Sequence, residues 1–147
     1  MAPVSNKSLI FKQVPEGLIR PNVDMVFEDR PLDITTPPPK GMIVKTLRVG
    51  FDPHMRDRMK GPTFQSYVPG YVPDEPLSAF SVAKVLKSDH ERFQDGDIIA
   101  GVLPIAEYSA IPEFVSNNPC HSHCSTILSH GTLHAGLLRG TVQQLTI

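Results

Sequence analysis

The fold is decided by the stretch Met42-Ile43-Val44-Lys45-Thr46-Leu47-Arg48-Val49-Gly50-Phe51-Asp52-Pro53-His54-Met55-Arg56-Asp57-Arg58-Met59. Its first eight residues are rich in β-branched residues and lie between glycines, which predicts a strand over residues 42–49. The polar remainder predicts one helical turn, with Asp52 as its N-cap and Pro53 at the first helical position. We therefore expect a strand that leads directly into a short polar turn.

Shorter patterns on both sides of this stretch predict further strands. Residues 8–14 form an apolar run, and residues 23–33 and 78–87 alternate apolar with polar or small side chains. Residues 97–111 contain two more strand-like runs. Fifteen prolines divide the chain into short elements, because proline fits neither helix interiors nor central strands. The sequence thus predicts a mainly β fold with short helices, a partly open β-barrel.

Two turns are predicted between these strands. Asp95-Gly96 predicts a tight turn, because this pair readily adopts positive φ. The triple proline at residues 37–39 predicts an extended turn, since proline cannot join a strand ladder. The same run could alternatively serve as a proline-rich ligand for an SH3-type domain.

Composition narrows the classes of partner. The 147 residues suffice for one domain, and the formal net charge of -1 gives no electrostatic argument for nucleic acid or an anionic membrane surface. No apolar run is long enough for a membrane span, and the first residues lack a signal-peptide pattern. Two cysteines are too few for a disulfide scaffold. We expect a cytoplasmic protein with a small-molecule partner, and a homo- or hetero-oligomer remains open.

Three motifs together resemble one enzyme family. They are the run over residues 49–59, Phe80-Ser81-Val82-Ala83-Lys84-Val85, and Phe93-Gln94-Asp95-Gly96-Asp97-Ile98-Ile99-Ala100-Gly101. Their order and spacing are similar to the N-terminal domain of zinc-independent medium-chain dehydrogenases/reductases, in the group of leukotriene dehydrogenase, prostaglandin reductase and alkenal double-bond reductase. The resemblance covers residues 8–114 and implies a chaperonin-10-like (GroES-like) barrel. It also implies NADPH-dependent reduction of a C=C bond conjugated to a carbonyl, with a small hydrophobic unsaturated carbonyl compound as substrate.

The resemblance also implies three site residues, and Met55, next to one of them, is predicted as a fourth. The family usually has a tyrosine near the nicotinamide and substrate at the position of His54, and a histidine there could donate a hydrogen bond to a developing oxyanion. A turn histidine is the alternative. Tyr67 and Tyr71 lie in the loop that shapes the family's substrate pocket, with ordinary packing as the alternative. We predict His54 and Tyr67 as catalytic, and Tyr71 and Met55 as substrate-binding, although methionine also fills core gaps.

The sequence predicts no metal site. The cysteine and the Gly-His-Glu that supply zinc ligands in zinc-dependent relatives are absent at the corresponding positions, which include residues 76–79. Cys120-His121-Ser122-His123-Cys124 offers ligands that suit zinc, but no predicted element orients them. Adventitious metal binding is the alternative for this cluster.

Residues 115–147 differ from the rest of the chain. They show neither period of a regular element, and the sequence contains no Gly-x-Gly-x-x-Gly or βαβ pattern to hold a dinucleotide. We expect residues 1–114 to form the GroES-like oxidoreductase domain and residues 115–147 an unrelated, disordered or aberrant tail. NADP is implied by the resemblance, yet we predict no cofactor-binding residues and no NADPH turnover by this chain. The alternative is a non-catalytic binding or accessory domain that docks on a full-length reductase or biosynthetic enzyme.

Overall fold

The computed structural model describes residues 3–61, 69–112 and the strand at 125–128, and it is mainly β. The smaller sheet pairs two antiparallel strands, β1 (Lys7–Phe11) and β2 (Met25–Asp29). The larger, antiparallel sheet has the order β6-β3-β4-β5-β7. Its strands are β3 (Met42–Val49), β4 (Ser78–Ser88), β5 (Ile98–Pro104), β6 (Tyr108–Ile111) and β7 (Ser125–Leu128). The helix α1 (Met55–Arg58) has four residues.

Strand β3 lies inside the larger sheet, between β4 and β6. Its first residues, Met42 to Val44, are fully buried, as expected for a strand rich in β-branched and apolar residues. The register of the β3–β4 pair shifts between Thr46 and Arg48. Immediately after the strand, the Gly50 N–H donates to the Phe80 carbonyl at 2.8 Å. This bond holds the start of the polar turn against β4.

Strand β1 closes the barrel by joining the two sheets. The Leu9 N–H donates to the Ile105 carbonyl at 2.8 Å, and the Leu77 N–H donates to the Leu9 carbonyl at 2.9 Å. The Ile105 N–H in turn donates to the Leu77 carbonyl at 2.7 Å. The first two bonds attach β1 to the segment after β5 and to the segment before β4, and the third joins these two segments to each other. The result is the partly open, GroES-like barrel that the sequence predicts.

Two hydrophobic clusters fill the interior. One cluster lies within the larger sheet and consists of Met42, Val44, Ala83, Val85, Phe93, Ile99, Leu103 and Ile111. The other, which we call the α1 cluster, packs the helix against β1 and the start of β4. It consists of Leu9, Phe11, Val49, Met55, Met59, Tyr71, Leu77, Ala79 and Ile105. The α1 cluster therefore supports the turn at residues 52–59 from beneath.

The predicted strands are confirmed, with small changes at their ends. The prediction over residues 42–49 has the same bounds as β3, and Gly96 has the positive φ, 99°, expected of its turn. Strand β7 is the exception, because the sequence predicted no element after residue 114. Four residues are too few to show a period, and their pairing with β5 is long-range. The expected division at residue 114 stays a prediction.

Helix is scarce in the described part of the chain. No helix there has the length and apolar character needed to cross a bilayer.

The carboxylate of Asp24 should make the free energy of unfolding depend on pH. Its buried carboxylate accepts hydrogen bonds from the Arg20 backbone and side chain and from Gln13. Burial alone would raise the pKa of Asp24, but the hydrogen bonds from Arg20 outweigh it and lower the pKa to about 2. Because the folded pKa lies below the unfolded value of about 3.9, this stabilisation is present above about pH 4 and is lost toward about pH 2. In urea denaturation, Asp24→Asn should destabilise the protein near neutral pH and flatten this acid decline.

Asp33→Asn is the matched control, because it removes an exposed carboxylate instead of a buried one. Asp33 is exposed, and its carboxylate bonds within its own turn, to Thr35. We expect Asp33→Asn to change both the stability and its acid decline by less than Asp24→Asn. Equal acid declines in the wild type and Asp24→Asn would contradict the assignment.

Candidate functional site

Two neighbouring clefts flank the α1 turn. The first, of about 240 Å³, lies between this turn and β4, and we call it the front cleft. Its described lining is Gly50, Asp52, His54, Met55, Arg58, Ser78, Ala79, Phe80 and Val102. The second, of about 320 Å³, is called the rear cleft. Its described lining is Ile19, Met25, Phe51, Asp52, Pro53, Met55, Arg56, Met59 and Leu77.

The turn forms where the sequence predicts it, but α1 begins later than predicted, because its N-cap is His54 and not Asp52. A carboxylate oxygen of Asp52 accepts the His54 N–H at 2.8 Å, and its carbonyl accepts the Met55 N–H at 2.9 Å. The Asp52 side chain thus bonds the backbone two residues on, as aspartates do in turns, and this turn leads into α1. These bonds hold His54, which is half-buried, in the lining of the front cleft.

Arg58 ties the end of the same turn to β4 and to the loop before it. Its Nε donates to the Pro69 carbonyl at 3.0 Å. Its two terminal nitrogens donate to the carbonyl and the hydroxyl of Ser78 at 3.1 and 3.0 Å. The guanidinium also lies 4.1 Å from the centre of the Tyr71 ring, a favourable cation–π contact. Arg58 therefore clamps together the two elements that form the front cleft.

Arg56 has a different role from Arg58 although it is two residues away. Its guanidinium donates to the carbonyls of Pro15 and Gly17, at 3.3 and 2.9 Å. These bonds attach the turn after β1 to α1. The residue lines the rear cleft rather than the front one.

The predicted site residues are only partly brought together. His54 and Met55 both line the front cleft. Tyr71 is 4% exposed, its hydroxyl donates to the Ser78 carbonyl at 2.7 Å, and its ring packs on Phe11 in the α1 cluster. Tyr71 is not among the described residues that line either cleft. This arrangement matches its packing alternative, and its substrate-binding role stays a prediction.

Two predicted features lie outside the described residues. They are Tyr67, one of the two predicted catalytic residues, and the cluster Cys120-His121-Ser122-His123-Cys124. Among residues 3–61 and 69–112, no three His, Cys, Asp or Glu side chains are grouped so that they could hold a metal ion.

The front cleft suits a small apolar molecule that carries one hydrogen-bond acceptor. Ala79, Phe80 and Val102 supply apolar surface, and Phe80 is 51% exposed. His54 adds an imidazole that can donate a hydrogen bond. Mainly apolar walls with a few polar groups are typical of small-molecule sites.

The class of protein is the N-terminal domain of an oxidoreductase, here a GroES-like barrel with a cleft beside the turn after β3. The chain belongs to the family described as "N-terminal domain of oxidoreductase", whose model matches residues 7–116. The resemblance inferred from the three sequence motifs is thereby confirmed.

Known proteins with this domain are oxidoreductases. Dehydrogenase FUB6 of Gibberella moniliformis is 53% identical over 110 residues, which are 75% of this chain and 30% of that protein. The 2-alkenal reductase (NADP(+)-dependent) of Nicotiana tabacum is 36% identical over 109 residues, 74% of this chain and 31% of that protein. This chain thus spans about 30% of the length of the curated relatives it matches.

A solved structure shares the fold. CurA from Vibrio vulnificus, determined in complex with NADPH, superposes with a TM-score of 0.62 at 23% identity. The match covers 73% of this chain and 30% of that one. It supports the GroES-like architecture described above.

Proposed function

We propose that this chain carries the substrate-side domain of an NADP-dependent reductase of C=C bonds conjugated to a carbonyl. In this proposal the front cleft holds a small hydrophobic unsaturated carbonyl compound. The supporting observation is that His54 lies in the lining of a mainly apolar cleft. The chain that forms this cleft is 36% identical over 109 residues to a 2-alkenal reductase. A cytoplasmic location belongs to the same proposal, because the cysteine content agrees with a reducing compartment.

The role of His54 follows from the chemistry of the substrate. A hydrogen bond from the imidazole to the carbonyl oxygen draws electron density from the conjugated C=C bond and makes its β-carbon more electrophilic. The same bond is strongest when negative charge develops on that oxygen, which is how an oxyanion donor favours a transition state. Phe80 and Val102 contribute apolar surface around the carbon chain. Tyr67 keeps its predicted place as a second donor.

The described residues do not fit the cofactor itself. A dinucleotide pyrophosphate needs a glycine-rich turn that meets the N-terminus of a helix. In the described ranges the one helix, α1, has four residues, and just before it lies Asp52, a carboxylate that would repel phosphate. NADP therefore enters this proposal through the NADP-dependent relatives. Absence of NADPH turnover by the chain on its own stays a prediction.

His54→Ala should weaken binding of the unsaturated ketone hexenone about two- to tenfold, the worth of one net hydrogen bond. Isothermal calorimetry on the purified chain would measure this, with thermal unfolding as a check of folding. The matched control is His90→Ala, because His90 packs against Phe93 and is not among the described lining of the front cleft. Equal affinities for the His54 variant and the wild type would contradict the role of His54.

A further inference from the structure

We propose that Met55 is the partition between the front and rear clefts and that it limits the length of the substrate. This inference rests on the proposed function, since it assigns the substrate to the front cleft. It adds a specificity determinant and a size class to that site, which becomes selective for short carbon chains.

Met55 is one of two described residues that line both clefts. The other, Asp52, is exposed, and its carboxylate accepts the His54 N–H. Met55 is 8% exposed and belongs to the α1 cluster, so its side chain separates the clefts on their buried side. An unbranched methionine side chain fills such a gap without a fixed shape.

The rear cleft could accept the end of a carbon chain. Its lining includes Ile19, Met25, Met59 and Leu77, all of them apolar. Arg56, a charged residue in the same lining, donates hydrogen bonds to backbone carbonyls of the turn after β1. An alkyl chain that passed Met55 would therefore meet mainly hydrocarbon surface, which favours its burial.

The volumes set the expected length limit. An apolar cavity of about 150 Å³ holds benzene, so the front cleft, at about 240 Å³, holds a ligand of about ten heavy atoms. Hexenone is smaller than this limit and dodecenone exceeds it. The two clefts together have more than twice the volume of the front cleft. Truncation of Met55 at Cβ would join them.

The test compares hexenone with dodecenone on the full chain by isothermal calorimetry. For Met55→Ala, the affinity for dodecenone relative to hexenone should rise about tenfold or more, because each newly buried methylene contributes about fourfold. The matched control is Met59→Ala, which truncates a buried methionine of the rear cleft alone and should leave the ratio within about twofold. Met55→Val replaces the alanine variant if thermal unfolding shows that the latter does not fold.

The alcohols hexanol and dodecanol separate this inference from the proposed function. Suppose that Met55→Ala binds neither ketone and yet shows a higher affinity for dodecanol relative to hexanol than the wild type does. That result would support the partition and overturn the proposed substrate class. If a folded Met55 variant had the same long-to-short affinity ratio as the wild type, for the ketones and for the alcohols, the partition would be overturned. An equal rise in Met59→Ala would also overturn it, since loosening of the cluster would then suffice.

Discussion

Arg58→Met should lower the free energy of unfolding by about 2–4 kcal/mol and weaken hexenone binding in the front cleft. The guanidinium donates to Pro69 and twice to Ser78, and hydrogen bonds to charged groups contribute about 1.5–3 kcal/mol each before solvent exposure reduces them. Methionine keeps most of the apolar stem, so the loss reports on the guanidinium. Urea denaturation measures the stability, and calorimetry measures the affinity.

The control for this change is Arg48→Met on β3. Arg48 is exposed, and its guanidinium donates to the carbonyl of its neighbour Leu47 at 2.8 Å. We expect that control to change stability by less than about 0.5 kcal/mol. If the two variants were equally stable, Arg58 would not be the clamp between α1 and β4.

Gly41→Ala should lower the free energy of unfolding by about 3 kcal/mol or more. A Cβ at this position would lie 2.7 Å from the Pro38 ring and 3.0 Å from the Pro112 Cα, and nearer still to the Ile111 carbonyl oxygen. Backbone atoms cannot rotate away as a side chain can, so the end of β6 would have to move from β3. Overpacking of this kind commonly costs about 1–3 kcal/mol, and displaced strand pairing adds to it.

Gly17→Ala provides the comparison for Gly41. Gly17 has a φ of 88°, and a Cβ added there would meet no atom within 4 Å, so its substitution tests backbone strain without a clash. We expect Gly17→Ala to lower the free energy of unfolding by about 1 kcal/mol. Equal losses in the two variants by urea denaturation would mean that close approach at Gly41 is not decisive.

The sequence predicts those parts of the fold that depend on local patterns. Strand β3 and the Asp95-Gly96 turn each depend on residues close together in the chain, and the structure contains both. The predicted Asp52 cap was wrong, because α1 begins later, with His54 as its N-cap. The closure of the barrel by β1 depends on partners such as Ile105, far along the chain. No local period predicts such pairing, and the same reason explains why β7 was missed.

The site was less predictable than the fold. His54 was predicted because the turn after β3 resembles a family motif that has a site tyrosine at that position, and Met55 lies next to it in the sequence. Arg58 was missed as a clamp, since its partners lie 11 and 20 residues away and only the folded chain brings them together. A loop tyrosine such as Tyr71 looks the same in sequence whether its phenol faces a ligand or the core. Its burial follows from tertiary packing.

The proposed function requires that the front cleft bind an unsaturated carbonyl compound. Its most direct test is to titrate the isotope-labelled chain with hexenone and follow the backbone amide chemical shifts. We predict saturable shifts concentrated at residues 50–58 and 78–80, around His54. A folded chain without saturable shifts, or with shifts confined to distant residues such as 90–96, would contradict the proposed function.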